Sequence, residues 1–106
     1  MTILNLNEMK GNWFVGDFLP TAFKTDKAEV CYKIHHKDEV ITPHYHKIAT
    51  EINLLVEGKM IINSETILAG QVFILHPNEV VFATPVEDSK LIVVKIPSIV
   101  GDKYEV

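Results

Sequence analysis

Short apolar runs, rich in Val, Ile and aromatic residues, alternate with turn-forming residues along most of the chain. Runs of this length, separated by short turns, predict antiparallel strands of a β-sandwich or barrel. No segment after Lys27 keeps an apolar period of 3.6 residues over three turns, so the pattern predicts an almost entirely β protein. The runs are Glu29 to His35, Glu51 to Val56, Lys59 to Asn63, Thr66 to Leu68, Gln71 to Leu75, Val80 to Ala83 and Lys90 to Ile96.

The run that begins at Glu51 is apolar on one face and mixed on the other. Alternate residues of a strand point to opposite faces, so Glu51 and Asn53 share one face, while Ile52, Leu54 and Val56 share the other. A half-exposed strand is polar on its outer face. We therefore expect the apolar face to be covered by a second sheet, the N-terminal arm or another subunit. The carboxylate and amide point inward, where they need a partner, water or a metal.

Length and composition limit the class of protein. The chain has 106 residues, enough for one domain, and its 47% hydrophobic and 23% charged residues argue against disorder. The net charge is −4 and the ten basic residues are dispersed lysines, which predicts neither a nucleic-acid nor a membrane partner. A single cysteine, Cys31, excludes an intrachain disulfide. With no signal-like start and no long apolar stretch, these features predict a cytoplasmic protein.

The candidate chemistry lies in the segment that begins with His44-Tyr45-His46. Residues two apart on a strand share a face, so the imidazoles of His44 and His46 can converge on one point. Glu51 opens the next strand, and an antiparallel return brings it opposite the two histidines. Two imidazoles and one carboxylate form a facial triad that suits Fe, Mn, Ni or Zn and leaves coordination positions open for substrate. Without a metal, the two histidines are candidate catalytic acid and base residues.

The spacing of these residues resembles the first motif of the cupins, which are double-sheet jelly rolls. The matching pattern is His44-x-His46, four residues, Glu51, six residues and Gly58. The family usually has a glycine before the first histidine, with five residues between them. Asp38 stands at that position, so the turn has to form without a glycine. The resemblance implies that a divalent metal ion is bound by His44, His46 and Glu51.

The second cupin motif matches poorly. Gly70 is present and Pro77 follows one residue late, which places the usual fourth-ligand histidine on Phe82 and the usual asparagine on Val86. We expect Phe82 to be an apolar wall beside the site rather than a ligand. Asn53 shares the face of Glu51 and is expected to orient a ligand, so Phe82 and Asn53 are the candidate cofactor-binding residues.

The resemblance implies an all-β jelly-roll barrel that spans residues 1–106 as one domain. Residues 29–96 are expected to form the barrel core, and residues 1–28 an arm that packs on the barrel or across a homodimer. The expected function is that of a metal-dependent isomerase, lyase or dioxygenase acting on a small polar or carbonyl- or acid-bearing substrate. Two alternatives remain open. One is a non-catalytic protein that binds or senses a sugar-like molecule, and the other is a metal-free epimerase or isomerase that uses His44 and His46 as acid and base.

Overall fold

The computed structural model describes all residues 1–106, and apart from one 3₁₀ turn at Leu6–Glu8 its regular structure is β. The strands are β1 Trp13–Gly16, β2 Phe23–Lys24, β3 Glu29–His35, β4 His44–Tyr45, β5 Thr50–Glu57, β6 Lys59–Ile62, β7 Glu65–Leu68, β8 Val72–Leu75, β9 Ala83–Pro85, β10 Ser89–Ile96 and β11 Tyr104–Glu105. The all-β prediction is confirmed. No helix has the length and apolarity that crossing a membrane requires.

Three sheets build the barrel. Six strands form the largest in the order β2-β1-β3-β10-β5-β8, three form a second in the order β7-β6-β9, and β11 pairs with β4. Side chains from the two larger sheets meet in one apolar core, because alternate positions of their strands point inward. The core residues are Cys31, Leu55, Met60, Ile62, Leu75, Val81, Leu91 and Val93.

The outer face of the six-stranded sheet is apolar and uncovered. Leu54 of β5 lies opposite Val72 of β8, and their side chains are 37% and 59% exposed. The N-terminal arm leaves these two side chains exposed, since β1 adds to the sheet beside β3, away from β5 and β8. The second sheet packs on the opposite face. The sequence predicts that a second sheet, the N-terminal arm or another subunit covers this apolar face. On β5 and β8, neither the second sheet nor the arm covers it.

Two turns show how the local sequence directs the chain. Gly58 links β5 to β6 with a φ of +99°, and an added Cβ would lie 2.4 Å from the carbonyl oxygen of Asp88. Only glycine fits there, and the chain can therefore pass from the first sheet to the second. Asp38 has a φ of +62° at the position where the cupin motif usually has glycine. Aspartate tolerates this left-handed conformation better than most residues, so the turn forms without glycine as expected.

Candidate functional site

A cavity of about 330 Å³ lies inside the barrel and contains the predicted residues. His44, His46, Glu51 and Asn53 all line it. Its apolar part comes from core residues such as Leu91 and Val93, and the rest of its lining is polar or charged. The sequence pattern and the structure thus agree in bringing these four side chains to one interior space.

Strand pairing sets where the two histidines lie. His44 forms a bridge with Val81 on one side and pairs with Glu105 of β11 on the other. Tyr45 points the opposite way and stacks on Tyr104 with ring centroids 5.4 Å apart. The rings of His44 and His46 are therefore on the cavity side, 5.6 Å apart between centroids and nearly perpendicular.

Backbone carbonyl groups orient both imidazole rings. The Nδ1 atom of His44 lies 3.0 Å from the carbonyl oxygen of Thr42, and Nδ1 of His46 contacts the carbonyl oxygen of Asp102. Because a carbonyl oxygen only accepts hydrogen bonds, each Nδ1 carries a proton and donates. In the neutral state this leaves the Nε2 lone pair of each ring free. The same second-atom hydrogen bond orients histidines that bind metals.

The carboxylate of Glu51 completes an arrangement with His46 and Asn53. Its Oε1 lies 3.5 Å from Nε2 of His46, and its Oε2 accepts a 3.2 Å hydrogen bond from Nδ2 of Asn53. Nε2 of His46 is buried and has no hydrogen-bond partner. A buried polar atom of this kind is unusual and requires a functional or structural explanation.

The electrostatic environment shifts the pKa values of the two histidines in opposite directions. The neighbouring Glu51 carboxylate raises the pKa of His46 above its ordinary value. Burial lowers the pKa of His44 below the same value. Burial alone would raise the pKa of Glu51, but His46 and Asn53 outweigh it and the pKa is lowered. Near neutral pH, His46 therefore holds its proton more strongly than His44 does.

Asp102 fixes the turn that follows His46, and no motif or spacing in the sequence marks it as a functional residue. Its side chain is buried and accepts hydrogen bonds from the backbone N–H groups of Lys47, Ile48 and Ala49, at 3.0, 3.1 and 2.9 Å. The main-chain carbonyl oxygen of Asp102 accepts a hydrogen bond from Nδ1 of His46. Asp102, a residue of the C-terminal segment, therefore positions the residues between His46 and Glu51.

The donor set of the site suits a divalent metal, although the side chains do not enclose one point. Two Nε2 lone pairs and a carboxylate are the donors of a facial triad, and the partnerless Nε2 of His46 faces Glu51. No group of three or more His, Cys, Asp or Glu side chains is arranged so that it could hold a metal ion. His46 and Glu51 are close to each other, and His44 would have to move towards them to complete a triad.

The position of Phe82 differs from the prediction. Its side chain is 56% exposed and does not line the cavity, whereas its neighbours Val81 and Ala83 do. Phe82 points outward because Val81 pairs with His44 and neighbouring residues of an extended chain alternate in direction. Counting from Pro77 places the expected fourth ligand at Phe82. The same spacing counted from Gly70 gives Val81, which lies at the cavity.

Comparison with known proteins identifies the fold. No protein-family model matches the chain, and no curated protein matches it. An uncharacterized conserved protein with a double-stranded β-helix domain from Klebsiella pneumoniae has a TM-score of 0.76 and 17% identity, over 97% of this chain and 89% of its own. KdgF from Halomonas sp. has a TM-score of 0.66 and 22% identity, over 72% and 74%.

A third similar structure is that of Streptomyces Pac13, described as a nucleoside dehydratase and also solved with uridine. It has a TM-score of 0.66 and 15% identity, over 77% of this chain and 70% of its own. At such identities the likeness defines the fold alone. This chain has the double-stranded β-helix fold of cupin-like proteins, with a polar cavity inside it.

Proposed function

We propose that the chain binds a divalent metal ion, Fe, Mn, Ni or Zn, through His44, His46 and Glu51. The observation that carries the proposal is the buried Nε2 atom of His46, which has no hydrogen-bond partner and faces the Glu51 carboxylate. On this basis the protein is an isomerase, lyase or dioxygenase that acts on a small polar or carbonyl- or acid-bearing substrate. A cavity of about 330 Å³ suits a small ligand, since ligand sites span roughly 300–1,000 Å³.

Each side chain has a separate role in this proposal. His44 and His46 hold the ion through Nε2, and Glu51 holds it through its carboxylate. Asn53 donates to Oε2 of Glu51 and so limits the rotation of that carboxylate. A bound ion supplies a Lewis acid that polarises an oxygen atom of the substrate. The apolar core residues beside the site exclude water and so strengthen the electrostatic interactions within it.

A metal-free acid–base enzyme is the second candidate function. It is favoured by the absence of an enclosed three-ligand group and by the opposite pKa shifts of the two histidines. Titratable groups whose environments push their pKa values apart are suited to act as acid and base. In this case protonated His46, paired with Glu51, gives a proton to the substrate, and neutral His44 removes one. An epimerisation or isomerisation of a sugar-like substrate requires such a pair.

Metal analysis of protein purified without a histidine tag separates the two candidates. We expect stoichiometric metal in the parent and its loss in His46→Ala and Glu51→Gln. His76→Ala is the matched control, since His76 is an exposed histidine outside the cavity, and this variant should keep the metal. Trace metal in a parent expressed with each ion in the medium contradicts the metal proposal. Turnover that survives exhaustive chelation favours the acid–base enzyme, and binding of a ligand without any turnover indicates a binding or sensing protein.

We also propose a homodimer in which the outer faces of two six-stranded sheets pack together. Leu54, Val56, Val72 and Ile74 are exposed on adjacent strands of that face. Two sheets pack face to face through apolar side chains. A contiguous exposed apolar patch commonly marks an interaction site, and a second copy offers a complementary apolar patch.

A further inference from the structure

Lys95 lies next to the candidate site on the inner face of β10. In the sheet register its Cα is opposite Glu29 on one side and Glu51 on the other. Directly opposed side chains of paired strands are close neighbours. The Lys95 side chain is only 13% exposed and lines the same cavity as the two histidines. A largely buried ammonium group is thus placed beside Glu51.

One carboxylate compensates the buried charge of Lys95. Its Nζ atom lies 3.3 Å from Oε2 of Glu29, and Oε1 of Glu29 accepts a 2.9 Å hydrogen bond from Oγ of Ser98. The ring of Trp13 covers another side of the ammonium, with its centroid 5.1 Å from Nζ. Glu29 therefore has one partner on each oxygen, and it holds Lys95 on the side away from Glu51.

The ammonium group of Lys95 keeps donor capacity that faces the cavity. A lysine has three N–H donors, and Glu29 is the only side chain that forms an ion pair with this one. Glu51 is engaged by His46 and Asn53 instead. The cavity supplies the remaining space around Nζ, and charge-assisted hydrogen bonds formed there are strong because little water competes with them.

Other charged side chains around the cavity do not neutralise this position. Lys33 and Lys103 also line the cavity, are exposed, and take part in none of the ion pairs of the chain. Of the remaining acidic groups in the lining, Glu39 is bound to His35 at 2.6 Å, and Glu105 is exposed on β11. An anion that enters the cavity thus passes unpaired ammonium groups and reaches a buried one.

We propose that Lys95 recognises the ligand of this cavity by binding a carboxylate group, so that the substrate class is a small carboxylic acid. The inference rests on the proposed use of the cavity as the ligand site, but it does not need the metal. Lys95 has no phosphate-binding glycine loop beside it and supplies one positive charge, which matches the single negative charge of a carboxylate. The carboxylate on Lys95 leaves the other end of a short acid directed towards His46 and Glu51.

Trp13 provides a direct readout, because it is the only tryptophan of the chain, lines the cavity and touches Lys95. The indole N–H signal of Trp13 is followed by NMR while chelator-treated protein is titrated with lactate or with lactamide. These probes differ only in the carboxylate. We expect lactate to bind at least about tenfold more tightly, because the amide oxygen still accepts a hydrogen bond from the ammonium but carries no negative charge to strengthen it. Equal affinities, or no shift with lactate at any concentration reached, overturn the proposal.

Two variants separate recognition from folding. Lys95→Met should remove the preference for lactate, whereas Lys90→Met, a change at an exposed lysine of the same strand, should keep it. Lys95→Met leaves Glu29 buried without its ion-pair partner, so Glu29→Gln/Lys95→Met is the second test. The double variant leaves neither charge in the cluster, and it too should bind lactate and lactamide equally. A folded double variant that still prefers lactate overturns the proposal.

The same titration distinguishes this inference from the metal proposal. A preference for lactate that persists in protein holding no metal supports Lys95 even if the metal analysis fails. A preference that appears only in metal-loaded protein, and is unchanged in both Lys95 variants, shows that the ion is the anion receptor. That result overturns the role of Lys95 and leaves the proposed metal site standing.

Discussion

Replacing Asp102 with asparagine tests how strongly the site depends on the C-terminal segment. The aspartate accepts three backbone N–H groups, those of Lys47, Ile48 and Ala49. In the aspartate, Oδ1 takes one of them and Oδ2 takes two. An asparagine keeps one oxygen and turns an NH₂ group, which cannot accept, towards the other position. At least one backbone N–H therefore loses its acceptor in Asp102→Asn.

The expected magnitude follows from that count. Leaving one of these buried or partly buried donors without a partner costs about 1–3 kcal/mol of unfolding free energy. In a domain of this size such a loss lowers the melting temperature by roughly 5–15 °C. The carbonyl oxygen of Asp102 also orients His46. Asp102→Asn keeps this main-chain oxygen, so metal affinity should fall only as far as the loosened segment moves the oxygen away from His46. Complete loss of such a supporting contact typically costs about 10–100-fold in affinity.

The pH dependence of this effect has a definite sign. Burial alone would raise the pKa of Asp102, but the three backbone N–H groups and His46 outweigh it and hold the pKa below its ordinary value of 3.8. A carboxylate whose folded pKa is lowered stabilises the fold above its unfolded pKa, and the contribution is lost as the pH falls through the folded pKa. The difference in stability between the parent and Asp102→Asn should therefore be full at neutral pH and should shrink below about pH 4.

Thermal unfolding followed by circular dichroism and metal titration are the two assays. Asp88→Asn is the matched control, because Asp88 accepts one backbone N–H, from Lys37, and its side chain is 76% exposed. A surface change of this kind should alter the stability by no more than about 0.5 kcal/mol. If Asp102→Asn melts at the same temperature as Asp88→Asn at neutral pH, the reasoning about the buried carboxylate is refuted.

Two further predictions concern the core and the outer sheet face. Burial raises the pKa of Cys31 to about 11, so a thiol reagent at pH 8 should label it slowly in the folded protein and rapidly in denaturant. Because the raised pKa favours the neutral thiol in the folded protein, the parent should lose roughly 2–3 kcal/mol of stability between pH 9 and 11. Cys31→Ala should show no such loss. Rapid labelling of the folded protein contradicts both the slow labelling and the pH-dependent loss of stability. In sedimentation velocity the parent should be a dimer and Leu54→Lys a monomer. Ile61→Lys, at an exposed position of β6, is the control and should stay dimeric, whereas a monomeric parent at high concentration rejects the interface.

Much of the fold could be predicted from the sequence because its strands are set by local patterns. The apolar run Glu29–His35 coincides with β3. The alternation along β5 correctly placed Glu51 and Asn53 inside, since the two-residue period of a strand fixes the facing of every side chain once one is known. Gly58, the last residue of the matched motif, forms the turn between β5 and β6.

The remainder depends on contacts that no local pattern encodes. The prediction misplaces Phe82 because it counts from Pro77, which stands one residue late. The same count from Gly70 gives Val81, which lines the cavity. Asp102 contacts Lys47, Ile48 and Ala49, which precede it in the sequence by 55, 54 and 53 positions. Lys95 follows the inward phase of β10, but only the sheet register puts it between Glu29 and Glu51. Such placements require the tertiary fold.

The docking of Asp102 on the turn after His46 also constrains when this protein can become functional. During synthesis, residues 44–51 leave the ribosome long before the residue that holds them in place. The nascent chain therefore carries two histidines and a glutamate without their final arrangement, and contacts between such distant positions form slowly. The proposed metal ligands can therefore reach their final arrangement only once β11 has paired with β4.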